Sequence, residues 1–496
     1  MTSPAIRRAV HCPITALAFF ARGKEGGDDE VERYVLVGED TQLKVYEVQS
    51  GRLRLEVQVF RGQAIHGIRV SADNLLVWGA RCVAVALIRS LEDVLAAGPS
   101  AGGVVRFEVG EARDWIHDGV LDQGRDSGVL VTLHNEVVEI SWAEGRGLSF
   151  GDVLSPSRPM LYTASVRLLA DGRVLVAGGT VFGEILIWTC RRGGEGKGRC
   201  RVRHVLAGHD GSIFGVDISD EIEVGAGRTL RLLASCSDDR TVRVWDISDT
   251  ASEGEEKEGG DESLLHEARE TGFGYNEIGS SGEGTVPEEP IAVAMGHMSR
   301  IWHARFAPLP PGRPASSTIP IYSFGEDSTA HSWDLELRNF KGLGGTSSEV
   351  TGARASPAIS ATLTHQTTFS NHDGKHIWSS AISSRDNGTI LVATGGADGK
   401  VALIEEGQPV LDVGRSDIRD GGAPFSTMVD HETLALLDAP VKEGKNAKNR
   451  NDHLRRYVFI GEDTLLSATQ SGKLLIGSFG RGSYVVGGVD RRWISR

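Results

Sequence analysis

Residues 204–247 read HVLAGHDGSIFGVDISDEIEVGAGRTLRLLASCSDDRTVRVWDI. The stretch opens on a Gly-His dipeptide that ends at His209 and closes on a Trp-Asp dipeptide that begins at Trp245, 36 residues later. Two apolar runs lie between the dipeptides, separated by a polar turn at 237–241. Short apolar runs bounded by turns of small polar residues predict antiparallel strands.

The same pattern recurs along the chain. In the stretch 296–335, His297 again precedes Trp333 by 36 residues, and Asp327 occupies the turn position of Asp239. Weaker copies close at Tyr46, at Trp188, at Ile404 and within 457–479. Several imperfect repeats of one strand unit suffice to bury a continuous core, so the repeat predicts the whole fold.

A buried hydrogen-bond relay is the physical reason for the pattern. We expect the Asp239 carboxylate, the His209 imidazole, a strand serine (Ser235 or Ser237) and the Trp245 indole to satisfy one another inside one unit. The His/Asp/Ser grouping is therefore read as scaffold and not as a catalytic triad. The residues assigned this structural role are His209, Asp239, Trp245, His297, Asp327 and Trp333.

The pattern resembles the WD repeat, which begins with Gly-His, has an aspartate in a turn and ends with Trp-Asp. In that repeat each unit is one four-stranded propeller blade. The resemblance implies an all-β, WD-repeat β-propeller, and seven units are recognised before residue 411. Residues 1–410 are predicted to form the propeller. Residues 411–496 are predicted to form an incomplete extra (eighth) blade or the start of a second propeller.

The composition agrees with many short strands and tight turns. The chain has 496 residues, of which 63 are glycine, 40% are hydrophobic and 6% are aromatic. No uncharged apolar run reaches the roughly 18 residues of a membrane-spanning helix, and no leader pattern opens the chain. We therefore expect a cytoplasmic protein without a membrane partner. The five cysteines show no paired metal-ligand spacing and are expected to be reduced thiols.

The formal net charge of −14 is unevenly distributed. Residues 248–290 carry 13 Asp or Glu against 2 Lys or Arg, so this segment holds most of the negative charge. It is rich in Glu, Gly and Ser and too poor in apolar residues to offset the entropy of ordering. We predict a disordered acidic insertion here. The remaining chain is nearly neutral, which leaves room for local basic patches.

A second recurrence lies at the start of the first strand of several units, where an isoleucine is followed by a large residue. Strand alternation would point that large residue away from the core, toward the mouth of the central channel. Two interpretations stay open: packing between blades, or a ring of aromatic residues at a partner-binding surface. The residues at this position are His66, Phe214, Trp302 and Trp378.

Motifs that would indicate an enzyme do not occur in the sequence. There is no GxSxG elbow, no Walker A loop, no HExxH helix and no glycine-rich loop that would hold S-adenosylmethionine. We therefore predict a non-catalytic protein with no catalytic residue, no metal site, no cofactor and no small-molecule substrate.

The less degenerate segments resemble one family more closely, the WD repeat-containing protein six family. These segments are GTVFGEILIW (179–188), LAGHDGSIFGV, GHMSRIW, GKHIWSSAI and ATGGADGKV, and the resemblance extends over about 14–479. The first is the most specific, because Phe182 stands where the generic repeat has aspartate. Family members are the non-catalytic WD-repeat subunit of the tRNA 2′-O-ribose methyltransferase that modifies the wobble nucleotide.

This resemblance implies that a separate catalytic subunit holds S-adenosylmethionine, while the propeller positions the anticodon arm of the tRNA. Such positioning relies on phosphate contacts from lysine and arginine. The predicted RNA-binding residues form one connector: Arg191, Arg192, Lys197, Arg199, Arg201 and Arg203. A second basic run lies within 442–456, and either run would otherwise be a solvated loop. The alternative function is a WD-repeat scaffold in an unrelated complex, such as a ubiquitin-ligase adaptor or an endosomal trafficking factor.

Overall fold

The computed structural model describes residues 13–23, 31–98, 104–143, 145–155, 159–192, 200–225, 228–248, 289–309, 318–338, 360–385 and 388–405. It also gives strands, without side chains, at 8–10, 408–413, 427–429, 454–459, 464–469, 473–478 and 482–488. Across these residues the structure is almost entirely antiparallel β-sheet with a single α-helix. That helix is too short to cross a membrane, and no other helix is described.

The first strand, β1 (Arg8–Val10), pairs with residues 427–429, and the blades begin after it. Blade 1 comprises β2 (Ile14–Gly23), β3 (Val31–Glu39), β4 (Gln42–Glu47) and β5 (Leu53–Gln58). Blade 2 comprises β6 (Gly67–Val70), β7 (Asn74–Gly79), β8 (Cys82–Leu87) and β9 (Glu108–Glu111), with α1 (Ile88–Ala97) inserted before β9. Blade 3 comprises β10 (Ile116–Leu121), β11 (Ser127–Thr132), β12 (Val137–Ala143) and β13 (Gly147–Leu154).

Four further blades follow in the same manner. Blade 4 comprises β14 (Leu161–Leu168), β15 (Arg173–Thr180), β16 (Glu184–Arg191) and β17 (Cys200–Ala207). Blade 5 has β18 (Ile213–Ile218), a hairpin of β19 (Ile222–Gly225) and β20 (Arg228–Leu230), then β21 (Leu232–Ser237), β22 (Thr241–Asp246) and β23 (Ala292–Met295). Blade 6 comprises β24 (Ile301–Phe306), β25 (Ile319–Gly325), β26 (Ala330–Arg338) and β27 (Ser360–Phe369). Blade 7 comprises β28 (Ile377–Ser384), β29 (Ile390–Gly396), β30 (Val401–Glu405) and β31 (Gln408–Val413).

The first strand of each blade packs against the first strand of the next, and β2 of blade 1 contacts β28 of blade 7. At this junction the Ser379 hydroxyl donates a 2.8 Å hydrogen bond to the Ile14 carbonyl oxygen. Blades 1 and 7 also share one apolar cluster that includes Val37 and Leu403. The described strands therefore form a closed, all-β, seven-bladed propeller, which confirms the fold class that the repeats predict.

The middle strands of the blades are buried on both faces, because each blade packs between two neighbours. In β21 and β22, for example, Leu233, Ala234, Val242 and Val244 are all buried. The helix α1 adds to the core of blades 1 and 2 because Ile88, Leu91 and Leu95 lie on one face and are buried. The acidic segment 249–288, predicted to be disordered, lies outside the described residues.

Contacts divide the chain into two units, Pro13–Arg415 and a second unit of Met1–Cys12 with Ser416–Arg496. The second unit contains the pair of β1 with β32 (Thr427–Val429). It also contains a sheet of β33 (Leu454–Phe459), β34 (Thr464–Thr469), β35 (Lys473–Ser478) and β36 (Gly482–Gly488). This sheet has four strands where the sequence predicts an incomplete blade. Its last strand, GSYVVGG, was missed because glycine interrupts the apolar alternation.

Candidate functional site

The hydrogen-bond relay of blade 5 is fully assembled. His209 Nδ1 lies 2.8 Å from Asp239 Oδ2, and His209 Nε2 lies 2.8 Å from Ser235 Oγ. The Trp245 indole donates a 2.8 Å hydrogen bond to the same serine oxygen. The relay serine is therefore Ser235, one of the two that the sequence left open.

The partners fix where the relay protons lie. Because a carboxylate only accepts, His209 carries its proton on Nδ1, and Nε2 accepts from the Ser235 hydroxyl. Burial lowers the pKa of His209, which keeps the imidazole neutral at physiological pH. Burial by itself raises the pKa of Asp239, but hydrogen bonds from His209 and Thr241 more than compensate and hold it well below its usual range.

Two other blades contain the same relay. In blade 6, His297 Nε2 and the Trp333 indole each lie 2.8 Å from Ser323 Oγ, and His297 Nδ1 lies 3.1 Å from Asp327. In blade 7, His372 Nδ1 lies 3.0 Å from Asp398 Oδ1, and His372 Nε2 lies 2.8 Å from Thr394 Oγ1. The sequence places Asp398 at the relay position of blade 7 but does not predict its partner His372, which lies in the segment NHD at 371–373.

The histidine and aspartate side chains that could form an active site are already hydrogen-bonded within these relays. Among the described residues, His297, Asp327 and His331 are the group whose ligand atoms, all within 4.8 Å of one another, could hold a metal ion. The Asp327 carboxylate and His297 Nδ1 are already joined within the relay. A metal ion would have to displace those hydrogen bonds, so the grouping is better explained as blade scaffold.

A β-bulge shapes the start of the first strand in several blades. In blade 5, Ile213 pairs with Ser237 and Gly215 pairs with Cys236, so Phe214 is the extra, unpaired residue. The same irregularity leaves Trp302 and Trp378 unpaired in blades 6 and 7, and Tyr162 in blade 4. The bulge, rather than the simple alternation assumed from sequence, turns these side chains out of the blade.

Four of the unpaired residues form a continuous row, which we call the aromatic arc: Tyr162, Phe214, Trp302 and Trp378. Ring centroids are 5.8 Å apart for Tyr162 and Phe214, 4.8 Å for Phe214 and Trp302, and 5.1 Å for Trp302 and Trp378. Tyr162 is 45% exposed, and the other three are partly exposed. The arc therefore joins blades 4 to 7 into one accessible aromatic surface.

Charged and strained residues border the arc. The Arg300 guanidinium lies over the rings of Phe214 and Trp302, 5.8 and 5.6 Å from their centroids, and 3.1 Å from Glu326. His376 stacks on Trp378 with centroids 4.4 Å apart and has a φ of 70°, a left-handed conformation that non-glycine residues seldom adopt. Strained residues and cation–π contacts beside partly exposed tryptophans are typical of a binding surface.

The remaining blades carry polar residues at the same position. Thr15, His66 and His117 each follow a buried isoleucine in blades 1, 2 and 3. His66 is exposed, and its Nδ1 accepts a long 3.4 Å hydrogen bond from the Ala80 amide. Of the four residues predicted for partner binding, Phe214, Trp302 and Trp378 are thus brought together, and His66 lies on the polar side. Tyr162 was missed because it follows a leucine.

The structure describes part of the predicted RNA-binding connector. Lys197 and Arg199 lie outside the described residues. The Arg192 guanidinium lies 2.8 Å from Asp122 Oδ2 and 3.2 Å from Glu139 Oε1, so it links blades 3 and 4. Arg203 Nε donates a 3.1 Å hydrogen bond to Thr189, whereas Arg191 and Arg201 are exposed. Phosphate binding by this connector remains a prediction.

Comparisons with known proteins agree with the fold. A family model described as "WD domain, G-beta repeat" matches residues 200–246, the stretch that contains the blade 5 relay. No curated protein matches the chain. A solved structure described as "Structure of U3-55K" is 14% identical with a TM-score of 0.43, covering 79% of this chain and 91% of that one. The comparison thus identifies a WD40 repeat at residues 200–246, and the strand pairing places it in a seven-bladed propeller.

Proposed function

We propose that this chain is the non-catalytic WD-repeat subunit of a tRNA 2′-O-ribose methyltransferase complex, and that its aromatic arc docks the catalytic subunit. In this account the catalytic subunit holds S-adenosylmethionine and transfers the methyl group. The propeller contributes a rigid surface that places the anticodon arm of the tRNA.

The aromatic arc is the observation that carries the docking role. Large aromatic side chains with few rotatable bonds contribute most of the binding energy at protein interfaces. Here four of them span blades 4 to 7 in ring-to-ring contact, with Arg300 held over two of the rings. Bulges fix their backbone in place, so docking would order few additional torsions.

The identity of the partner rests on the sequence resemblance of residues 179–188. In the structure, Phe182 is 51% exposed in the turn between β15 and β16. Gly183 follows with a φ of 82°, and a Cβ there would collide with the His209 carbonyl oxygen of blade 5. The segment therefore combines a glycine that the fold requires with an exposed phenylalanine that it does not, which supports a recognition role for Phe182.

A binding measurement tests the docking role. The full chain and the tRNA 2′-O-ribose methyltransferase of the same organism are purified separately and titrated by calorimetry. We expect a one-to-one complex, weakened at least about tenfold by Trp302→Ala together with Trp378→Ala. Trp115→Ala is the matched control, because Trp115 is 54% exposed but lies in blade 3, outside the arc.

Two outcomes would contradict the proposal. If the two wild-type proteins do not associate, the partner is misassigned, and the scaffold function in another complex takes its place. If they associate but the double variant binds as tightly as Trp115→Ala, the docking surface lies elsewhere on the propeller.

A further inference from the structure

The central channel of the propeller contains a cavity of about 470 Å³ whose wall is formed by the first strands of the blades. Six charged side chains from five blades line it, three arginines and three aspartates: Arg69, Arg167, Arg305, Asp118, Asp217 and Asp220. Pockets of this size accommodate one small ligand. The arginines in this lining differ in how closely carboxylates compensate them.

Two of the arginines have carboxylate partners. Arg69 Nη2 lies 3.0 and 2.9 Å from the two oxygens of Asp118, a bidentate pair, and Asp118 also accepts from the Val166 amide. Arg167 Nη2 donates a 2.7 Å hydrogen bond to the Ile218 carbonyl and lies 3.9 Å from Asp217. Its Nη1 lies 3.7 Å from the carboxylate of Asp220, which is 76% exposed. The pairing is close for Arg69 and looser for Arg167.

Arg305 is compensated least. Its Nε donates a 3.0 Å hydrogen bond to Ser380, and no carboxylate among the described residues lies within the 4.0 Å of an ion pair. Of its five N–H groups, the four on the terminal nitrogens have no acceptor in the described part of the chain, and the side chain borders the cavity. A guanidinium remains charged at any physiological pH. An anion that compensates the Arg305 charge would therefore bind inside the channel.

The charges around Arg305 have both signs. Burial lowers the pKa of Arg305, the Asp217 carboxylate opposes this, and the neighbouring Arg69 and Arg167 lower the pKa further. Burial raises the pKa of Asp217, although Arg167, Arg305 and Arg69 all act to lower it. Burial, with help from Arg305, lowers the pKa of His303 to about 3, so this histidine adds no charge of its own.

We propose that the central channel binds a small phosphate-bearing anion, with Arg305 as the principal donor and Arg69 and Arg167 adding attraction from neighbouring blades. A guanidinium presents parallel N–H groups that match two phosphate oxygens. A phosphate monoester carries nearly two negative charges and three free oxygens, so it can accept hydrogen bonds from more than one arginine at once. The hydroxyls of Ser165 and Ser380 line the same cavity and supply further donors. The anion-binding proposal does not rest on the docking role of the arc, although Trp378 of the arc also borders the cavity.

The test is a titration of the full chain with inorganic phosphate and with pyrophosphate, at constant ionic strength in a phosphate-free buffer. We expect millimolar or tighter binding by calorimetry, a rise in melting temperature, and stronger binding of pyrophosphate. Arg305→Gln should weaken binding by about tenfold or more. Arg305→Lys should weaken it less, because lysine keeps the positive charge and loses only the paired N–H groups of the guanidinium. Arg338→Gln is the control: it removes an exposed arginine from the same blade and should change nothing.

A second measurement does not depend on any variant. Crystals of the wild-type chain soaked with tungstate, a phosphate analogue, should show an anomalous peak beside the Arg305 guanidinium. The proposal is overturned if the wild-type chain binds neither phosphate probe, if Arg305→Gln binds as tightly as Arg338→Gln, or if the tungstate peak lies elsewhere. Binding of a glutamate-rich peptide in place of both phosphates would also overturn it, in favour of an acidic protein segment.

Discussion

The Trp188 indole donates a 2.8 Å hydrogen bond to the side-chain oxygen of Asn135, across the boundary between blades 4 and 3. Both side chains are fully buried. Blade 4 has Gly178 at the strand position of the relay serine, so its tryptophan takes its acceptor from the neighbouring blade instead. Asn135 has a φ of 58°, a left-handed conformation that asparagine tolerates better than most residues. The bond therefore couples the stability of two blades.

Asn135→Ala should lower the free energy of unfolding by roughly 1–3 kcal/mol, because it leaves a buried indole without an acceptor. Urea unfolding followed by circular dichroism measures the change. Asn135→Gly separates the two contributions, since glycine keeps the left-handed backbone and loses only the acceptor. An Asn135→Ala protein as stable as the wild type would mean that the bond contributes nothing.

The relay aspartates should make the fold sensitive to acid. Burial by itself raises the pKa of Asp398, but the hydrogen bond from His372 and the Asp373 and Lys400 amides bring it to about 2, below the value of about 3.9 in an unfolded chain. A depressed carboxyl pKa stabilises the fold above the unfolded value, and this stabilisation is lost as pH falls from about 4 toward 2. The contribution is roughly 1–2 kcal/mol once solvent screening is allowed for.

Asp398→Asn should therefore be less stable than the wild type at neutral pH and nearly equal to it at pH about 2. The measurement is the free energy of unfolding in urea at several pH values. Asp126→Asn is the control, because Asp126 lies exposed in the turn between β10 and β11 of blade 3. A constant difference between Asp398→Asn and the wild type across this pH range would contradict the pKa assignment.

The acidic insertion should be removable. Its two ends meet, because β22 and β23 pair with Val244 opposite Ala292, and Ser248 is held by hydrogen bonds to Asp246 and Arg231. Replacing residues 249–288 with a short Gly-Ser linker should change the free energy of unfolding by less than about 0.5 kcal/mol. Loss of soluble protein after this replacement would show that the segment packs against the propeller.

The basic connector should contribute to tRNA binding by the two-protein complex. Reversing the charge of Arg199, Arg201 and Arg203 should weaken binding and reduce its salt dependence, because fewer counterions are released. Filter binding at several salt concentrations measures both effects. Arg192→Gln is the contrast: it breaks the ion pairs with Asp122 and Glu139, so it should reduce stability more than RNA affinity. An unchanged salt slope in the triple variant would place the RNA contact elsewhere.

The sequence predicts features that repeat at fixed spacing. The blade 5 relay is readable because His209 and Asp239 lie 30 residues apart with a tryptophan at the close. The blade 7 relay is readable only at Asp398, because its histidine and aspartate are only 26 residues apart and isoleucine replaces tryptophan. Its chemistry is the same, but the shorter first loop hides the pattern.

Features that depend on contacts between blades could not be predicted. Asn135 and Trp188 lie 53 residues apart in different repeats, and no motif connects them. The channel arginines come from blades 2, 4 and 6 and converge only when the ring closes. The aromatic arc was partly predicted from the residues that follow each isoleucine, but the bulge that turns them outward is a property of strand pairing.

The central claim is tested most directly by the extent of wobble-nucleotide 2′-O-methylation in tRNA, measured by mass spectrometry of digested RNA. The cells compared lack this chain or carry it as wild type, as Trp115→Ala, or as the Trp302→Ala and Trp378→Ala double variant, at equal protein levels. We predict that methylation is lost without the chain, is restored by the wild type and by Trp115→Ala, and is not restored by the double variant. Full wobble methylation in cells that lack the chain would contradict the account.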